Sequence, residues 1–277
     1  MKHIQDSFVG VRGARIAYQG WVPEGQAEAT LLVVHGLGEH CGRYGNLVSH
    51  CCPCGYAVYG LDHLGHGKSE GRREVVKSFR DYTDTLHKFA QMVADWQPDR
   101  PLYLVGHSMG GLIVADYLLQ HQDDHAGAIV SAPPVRPGDD VTPLTVLAAR
   151  LLAALAPRMG VMALDASSLS RDPDVVAAYE QDPLVFRGKT PARLGVELLR
   201  AMERVMEGAH AIQLPLLILQ GSQDTLVDPR GAQMLYDRVS SPDKTLKVYQ
   251  GLYHEIFNEP ERDQVLEDVS SWLAARV

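Results

Sequence analysis

The stretch that most constrains the fold is Gly106-His107-Ser108-Met109-Gly110 together with its flanks. Residues 102–105 (Leu-Tyr-Leu-Val) form an uninterrupted apolar run, as a strand buried on both faces of a parallel sheet requires. From Met109 onward, Leu112, Ile113, Ala115, Tyr117, Leu118 and Leu119 read as a helix with little exposed surface. A serine in a G-x-S-x-G between such a strand and helix occupies a sharp turn that lifts its hydroxyl clear of the backbone. The flanking glycines permit that geometry. The helix N-terminus behind it offers N–H groups and a positive dipole end to a developing oxyanion. The pentapeptide alone also arises by chance, so its meaning depends on what the rest of the chain supplies.

The surrounding chain repeats the strand-then-helix alternation. Residues 30–35, 56–61, 127–132, 215–220 and 245–250 read as strands, and 9–22 as one or two antiparallel strands at the start. Helical stretches fall at 43–52, 79–96, 229–239 and 259–275. The second of these carries Phe79, Tyr82, Leu86, Phe89, Met92 and Val93 on one side. This pattern predicts a mostly parallel central sheet flanked by helices. The alternation stops between residue 133 and about 210, leaving helical segments near 144–155 and 193–206. The expected organisation is a core of 1–133 and 211–277 with an inserted helical cap, or lid, at 134–210. Segment 144–155 has almost no polar face, which suits either a helix packed on the core or a lid whose apolar side meets lipid. Asn258 and Glu261 have the spacing of a capping pair for the last helix.

Composition removes several classes of function. The 277 residues carry a net charge of −8 and no basic run. That argues against nucleic acid as a partner and against electrostatic docking to anionic head groups. The start, Met1-Lys2-His3-Ile4-Gln5-Asp6-Ser7, has no apolar signal core, and no stretch reaches the ~20 apolar residues of a membrane span. The expectation is a cytoplasmic chain, with peripheral membrane or micelle contact confined to the cap. Cys51-Cys52-Pro53-Cys54 lacks the paired spacing of a structural zinc site, so these thiols are expected to be reduced and packed, with a redox or adventitious metal role as the alternative. Cys41, in contrast, follows the loop after the first buried strand and is expected near the active site.

A serine nucleophile needs a base to take its proton and an acid to hold that base. In a sheet of this kind both should follow the serine, acid before histidine, each just beyond a strand. One run ends Gln220-Gly221-Ser222-Gln223-Asp224 and the last ends Tyr249-Gln250-Gly251-Leu252-Tyr253-His254. Asp224 and His254 are therefore the expected partners of Ser108. Asp228 precedes Pro229 at a helix start, where capping explains it better. His107 should point away from Ser108, and His63 and His66 sit in an earlier loop with a structural role. The oxyanion donors are expected to be the N–H groups of Met109 and Leu37. Gly36 and Gly38 also suggest a dinucleotide fingerprint. Its third glycine position is Cys41, however, and no acidic residue closes the next strand before Asp62, so no cofactor and no metal is implied.

These motifs resemble the α/β-hydrolase superfamily and, within it, the monoacylglycerol lipase (monoglyceride lipase) family, in particular bacterial members similar to the mycobacterial enzyme. The resemblance is carried by His35-Gly36-Leu37-Gly38-Glu39-His40 with Gly42-Arg43-Tyr44, and by Asp62-x-x-Gly65-His66-Gly67-x-Ser69. Gly106-His107-Ser108-Met109-Gly110-Gly111, Tyr179-x-x-Asp182-Pro183-Leu184, Gly221-Ser222-x-Asp224 and the ending Gly251-Leu252-Tyr253-His254-Glu255-x-Phe257-Asn258-Glu259 extend it over nearly the whole chain. It implies an α/β-hydrolase fold and hydrolysis of a small lipid ester, a monoacylglycerol, through an acyl-enzyme on Ser108. It further implies that Glu39, Arg43 and Tyr179 hold the glycerol end. Glu39 and Arg43 are also spaced to form a mutual ion pair that fixes their loop. The chain departs from the mammalian members at Phe257, where they have a histidine. Rival readings are a lysophospholipase, a carboxylesterase on short acyl or phthalate monoesters, and a non-catalytic binding protein on the same fold.

Overall fold

The computed structural model describes residues 1–139 and 141–277. In chain order the described strands are β1 (Lys2–Val9), β2 (Arg15–Val22), β3 (Ala29–Val34), β4 (Tyr56–Leu61), β5 (Leu102–His107), β6 (Gly127–Ser131), β7 (Gly160–Met162), β8 (Thr190–Pro191), β9 (Leu216–Gly221) and β10 (Lys244–Tyr249). Eight of them make one sheet in the order β1-β2-β4-β3-β5-β6-β9-β10. The β1–β2 and β2–β4 pairs are antiparallel and every later pair is parallel. The helices are α1 (Gly45–Cys51), α2 (Arg80–Trp96), α3 (Met109–His121), α4 (Pro143–Leu155), α5 (Pro173–Gln181), α6 (Ala192–Gly208), α7 (Arg230–Arg238) and α8 (Arg262–Ala274). This is the α/β-hydrolase arrangement.

Every residue of β3, β4, β5, β6 and β9 is buried, and the strand period of two divides their side chains between two layers. Leu32, Val34, Leu104, Val130 and Ile218 face Leu86 and Phe89 of α2 and Leu112 and Ile113 of α3. Leu31, Val33, Tyr103, Val105, Ile129 and Leu217 face Leu47 of α1 and Val265, Val269 and Trp272 of α8. At about 1.5–3 kcal/mol for each large apolar side chain taken from water, these layers fix strand register and so fix the loops at the strand ends. The buried thiols of Cys51 and Cys52 belong to the second layer, and burial pushes the Cys52 pKa up to about 11.

Two local expectations fail for physical reasons. The hairpin expected from residue 9 begins at Lys2, because edge strand β1 is mostly exposed and turns only scattered side chains inward, which leaves little apolar signal. Asn258 and Glu261 do not cap the last helix. The Asn258 amide donates to Glu255 Oε2 at 2.8 Å and accepts from Asn46 Nδ2 at 3.0 Å, while Glu261 takes the Arg171 guanidinium. Charged and amide side-chain partners win over the local cap.

Between β6 and β9 the chain leaves the sheet for α4, the antiparallel β7–β8 ribbon, α5 and α6. Strands of three and two residues are too short to show periodicity, so the ribbon was not foreseen. The inner side of α6 sends Leu194, Leu198, Ala201 and Val205 into the main core. Helix α4 rests on α6 through Ala153, Ala192 and Val196. It leaves Leu144, Leu147, Leu151 and Leu155 between 56% and 83% exposed, an apolar row with no covering element among the described residues. No described helix is long and apolar enough to cross a membrane.

Candidate active site

Ser108 caps the N-terminus of α3 with φ 53° and ψ −124°, and its side chain makes no capping bond to the helix. A non-glycine residue held there stores roughly 1–3 kcal/mol of strain, which the surroundings must impose. They do so through Ser108 N–H donating to Ser131 O at 2.8 Å and Leu112 N–H donating to Ser108 O at 3.1 Å. The flanking glycines are required by packing. A Cβ on Gly110 would lie 1.8 Å from Val34 O, and one on Gly106 would lie 2.5 Å from Gly110 O.

His254 and Asp224 are buried together beyond β10 and β9, with His254 Nδ1 2.7 Å from Asp224 Oδ2. Asp224 is held by Gln220 Nε2 at 3.0 Å on Oδ2, and on Oδ1 by the N–H groups of Leu226 at 2.9 Å and Val227 at 3.0 Å. Burial by itself lowers the His254 pKa, but the Asp224 carboxylate, through charge and hydrogen bond, brings the net shift upward, with Glu255 and Glu39 adding to it. The only side-chain hydrogen bond of His254 among the described residues is the one to Asp224. Its second ring nitrogen remains for a proton transfer that tightens when substrate is bound.

The competing residues have other employment. His107 turns its Nδ1 to Ser131 Oγ at 3.1 Å and packs against His254 with ring centroids 4.7 Å apart and planes tilted by 52°. Burial holds its pKa well below the ordinary histidine value, with His254 and Arg43 adding to the shift. His63 and His66 are packed with His35 and Tyr82 under the loop that follows β3, and burial lowers His66 to about 3. Asp228 accepts from Arg230 N–H at 3.0 Å at the start of α7 and pairs with Arg136 and Arg230.

The loop after β3 runs beside the nucleophile, because a Cβ on Gly36 would be 3.3 Å from Ser108 Cβ. Gly36 N–H donates to Glu39 Oε1 at 2.6 Å. Gly36's N–H is thus consumed, whereas Leu37's has no hydrogen-bond partner among the described residues. The loop is also pinned from the insertion by Phe186 N–H, which donates to Gly38 O at 2.7 Å. Cys41 N–H donates to Asp62 Oδ1 at 3.0 Å, and a three-residue turn follows, Cys41–Arg43.

Glu39 and Arg43 lie in a buried ionic cluster. Arg43 Nε donates to Glu39 Oε2 at 3.2 Å, and its Nη2 donates to both oxygens of Glu255 at 2.7 Å. Tyr44 OH donates to Glu39 Oε1 at 2.9 Å, and the guanidinium sits over the Tyr179 ring at 4.8 Å. Burial raises the Glu39 pKa, Arg43 opposes that rise, and Glu255 adds to it. The cluster encloses a void of about 10 Å³ with His107, Phe257 and Asn258, about one water in size. Tyr179 faces two ways. Its ring covers Arg43, and it lines a separate cavity of about 190 Å³ with Glu74, Leu164, Phe186 and Thr190. The residue missed by sequence reasoning is Glu255. An acid directly after the expected base was its only signal, and its partner Arg43 lies 212 residues away.

The chain matches the Hydrolase_4 family model, described as serine aminopeptidase, S33, over residues 25–261. This chain belongs to that family. It is 40% identical over 273 residues to the monoacylglycerol lipase of Mycolicibacterium smegmatis, covering 99% of this chain and 98% of that one. It is 38% identical to the monoglyceride lipase of Mus musculus, covering 98% and 90% of the two chains. The crystal structure of Paleococcus ferrophilus monoacylglycerol lipase aligns over 100% of both chains with a TM-score of 0.84 and 31% identity. These likenesses span the core and the insertion together.

Proposed function

We propose that this chain hydrolyses monoacylglycerols to fatty acid and glycerol through an acyl-enzyme on Ser108. The protein is a carboxylic ester hydrolase by family. The observation that carries the residue assignment is the buried Asp224–His254 pair beyond the strand ends, with the His254 ring 4.7 Å from that of His107, the residue before a serine held at φ 53°. His254 takes the Ser108 proton as the oxygen attacks the ester carbonyl, while Asp224 holds the other ring N–H and stabilises the imidazolium. The Met109 and Leu37 N–H groups bind the oxyanion. Collapse breaks the bond to the glyceryl oxygen, which leaves with the proton from His254. Water, deprotonated by the same histidine, then attacks the acyl-enzyme, releases the fatty acid and returns the proton to Ser108.

The reading of the glycerol end rests on Glu39, Arg43 and Tyr179 as the polar wall beside the nucleophile. A Cβ on Gly36 would touch both the Glu39 carboxylate, at 2.9 Å, and Ser108. With Glu255 this wall carries two carboxylates against one guanidinium. It suits an uncharged hydroxylated leaving group and repels a phosphodiester. Residues 134–210 act as a cap, and the exposed leucines of α4 lay it on a membrane or micelle, which gives the chain peripheral contact with lipid.

Initial rates on 1-monooleoylglycerol, oleoyl-lysophosphatidylcholine and p-nitrophenyl butyrate test the substrate class. The highest kcat/KM is expected on monooleoylglycerol. A preference for the lysophospholipid sinks the monoglyceride reading, and a preference for the butyrate makes the chain a short-chain carboxylesterase.

A further inference from the structure

At the end of α3 remote from Ser108, His121 and Asp124 meet His87 of α2. Donor atoms of the three side chains all lie within 4.8 Å of one another. The His87 and His121 rings stack with centroids 4.1 Å apart and planes inclined by 23°. We propose that His87, His121 and Asp124 form a binding site for a zinc-class divalent transition metal that ties α2 to α3.

The donor set points to that class. Two imidazoles and one carboxylate are borderline ligands that suit Zn²⁺, Cu²⁺, Ni²⁺ or Co²⁺, whereas Ca²⁺ and Mg²⁺ require oxygen donors. Three protein ligands leave one tetrahedral position for water. Bonds of about 2.0–2.1 Å place donors closer together than 4.8 Å, so the side chains must rotate inward. Asp124 is exposed and able to swing in, while His121 closes on the metal by giving up its stacking on His87 and Tyr117.

A surrounding layer prepares one of the ligands. His87 Nδ1 is 3.2 Å from Tyr117 OH, and that hydroxyl is 3.0 Å from His125 Nε2. With the proton on His87 Nδ1 donated to the Tyr117 oxygen and the Tyr117 hydroxyl donated to His125 Nε2, both bonds are satisfied in one direction. On that assignment His87 Nε2 carries the lone pair that a metal would take, the tautomer that metal-bound histidines receive from their second contact. Asp84, one helical turn before His87, adds negative potential that favours a cation.

Helix α3 has 13 residues, so the site lies about 20 Å from the nucleophile at 1.5 Å per residue. The metal would act as a clip on stability, with no part in ester hydrolysis. The test uses full-length protein stripped with a chelator and then titrated with ZnCl₂ by calorimetry and with CoCl₂ by visible absorption. One Zn²⁺ per chain is expected, with a tetrahedral Co²⁺ spectrum and a melting temperature raised by about 4 °C or more at saturation. His121→Ala should abolish binding and the Co²⁺ bands. Tyr117→Phe should weaken affinity about 10- to 100-fold by releasing His87. Hydrolysis should be the same in stripped and loaded enzyme. Binding unchanged in His121→Ala would belong to other histidines and overturn the site, as would the absence of any Zn²⁺ heat in the wild type.

Discussion

Glu74 offers a prediction whose magnitude follows from its surroundings. It is buried, its Oε2 has no hydrogen-bond partner among the described residues, and it lines the 190 Å³ cavity with Tyr179 and Thr190. Burial raises its pKa from 4.5 to about 7, against a smaller opposing contribution from Thr190. The folded state keeps this proton to about pH 7, while the unfolded chain releases it near 4.5. Between those values the folded state binds more protons, so its stability falls as pH rises. At about 1.4 kcal/mol per pH unit, the full penalty is about 3 kcal/mol above pH 7, and under about 1 kcal/mol remains at pH 5. Glu74→Gln keeps the shape and cannot ionise. Urea unfolding of both proteins at pH 5 and pH 8 cancels every other titrating group in the difference. The stability advantage of Glu74→Gln should grow by about 2–3 kcal/mol between the two pH values. A gap that stays constant within about 0.5 kcal/mol would mean that Glu74 is ionised at little cost, and would refute the reasoning.

The remaining predictions concern the catalytic geometry and the cap. Asp224→Asn should lower kcat about 10⁴-fold and, by removing the carboxylate that raises His254, move the acid limb of kcat/KM to lower pH. Activity needs neutral His254 and is lost as pH falls through its pKa, so an unmoved limb contradicts the pairing. Leu151→Asp, on the exposed row of α4, should reduce the rate on emulsified monooleoylglycerol severalfold more than on soluble p-nitrophenyl butyrate; equal losses would remove the lid role. Gly110→Ala places a methyl 1.8 Å from Val34 O, so soluble expression should collapse, and a variant with wild-type melting temperature would show that the turn is less tightly packed than described.

The sheet was legible because parallel strands covered on both faces must be continuous apolar runs, and five of them stand out in the chain. Order along the chain then placed Asp224 and His254 beyond strand ends, and the structure brings those two into contact. Edge strand β1 was read late because half of an edge strand belongs to water. The β7–β8 ribbon and the Glu255–Arg43 bond were invisible for a different reason. They depend on pairing between distant segments, to which neither periodicity nor local spacing responds. The sequence offered two roles for Glu39 and Arg43, the glycerol wall and the ion pair. The structure forms the ion pair and seals it with Glu255, so any contact with glycerol is made at the edge of a rigid cluster.

The central claim is that Ser108 carries the acyl group. Its most direct test is treatment of the wild type with a fluorophosphonate, peptide mass spectrometry of the adduct, and kinetics of Ser108→Ala on 1-monooleoylglycerol. The account predicts one adduct, on the peptide containing Ser108, and a loss of at least about 10³-fold in kcat for a variant with unchanged melting temperature. An adduct on another residue, or a Ser108→Ala enzyme that keeps more than a few per cent of wild-type activity, would contradict it.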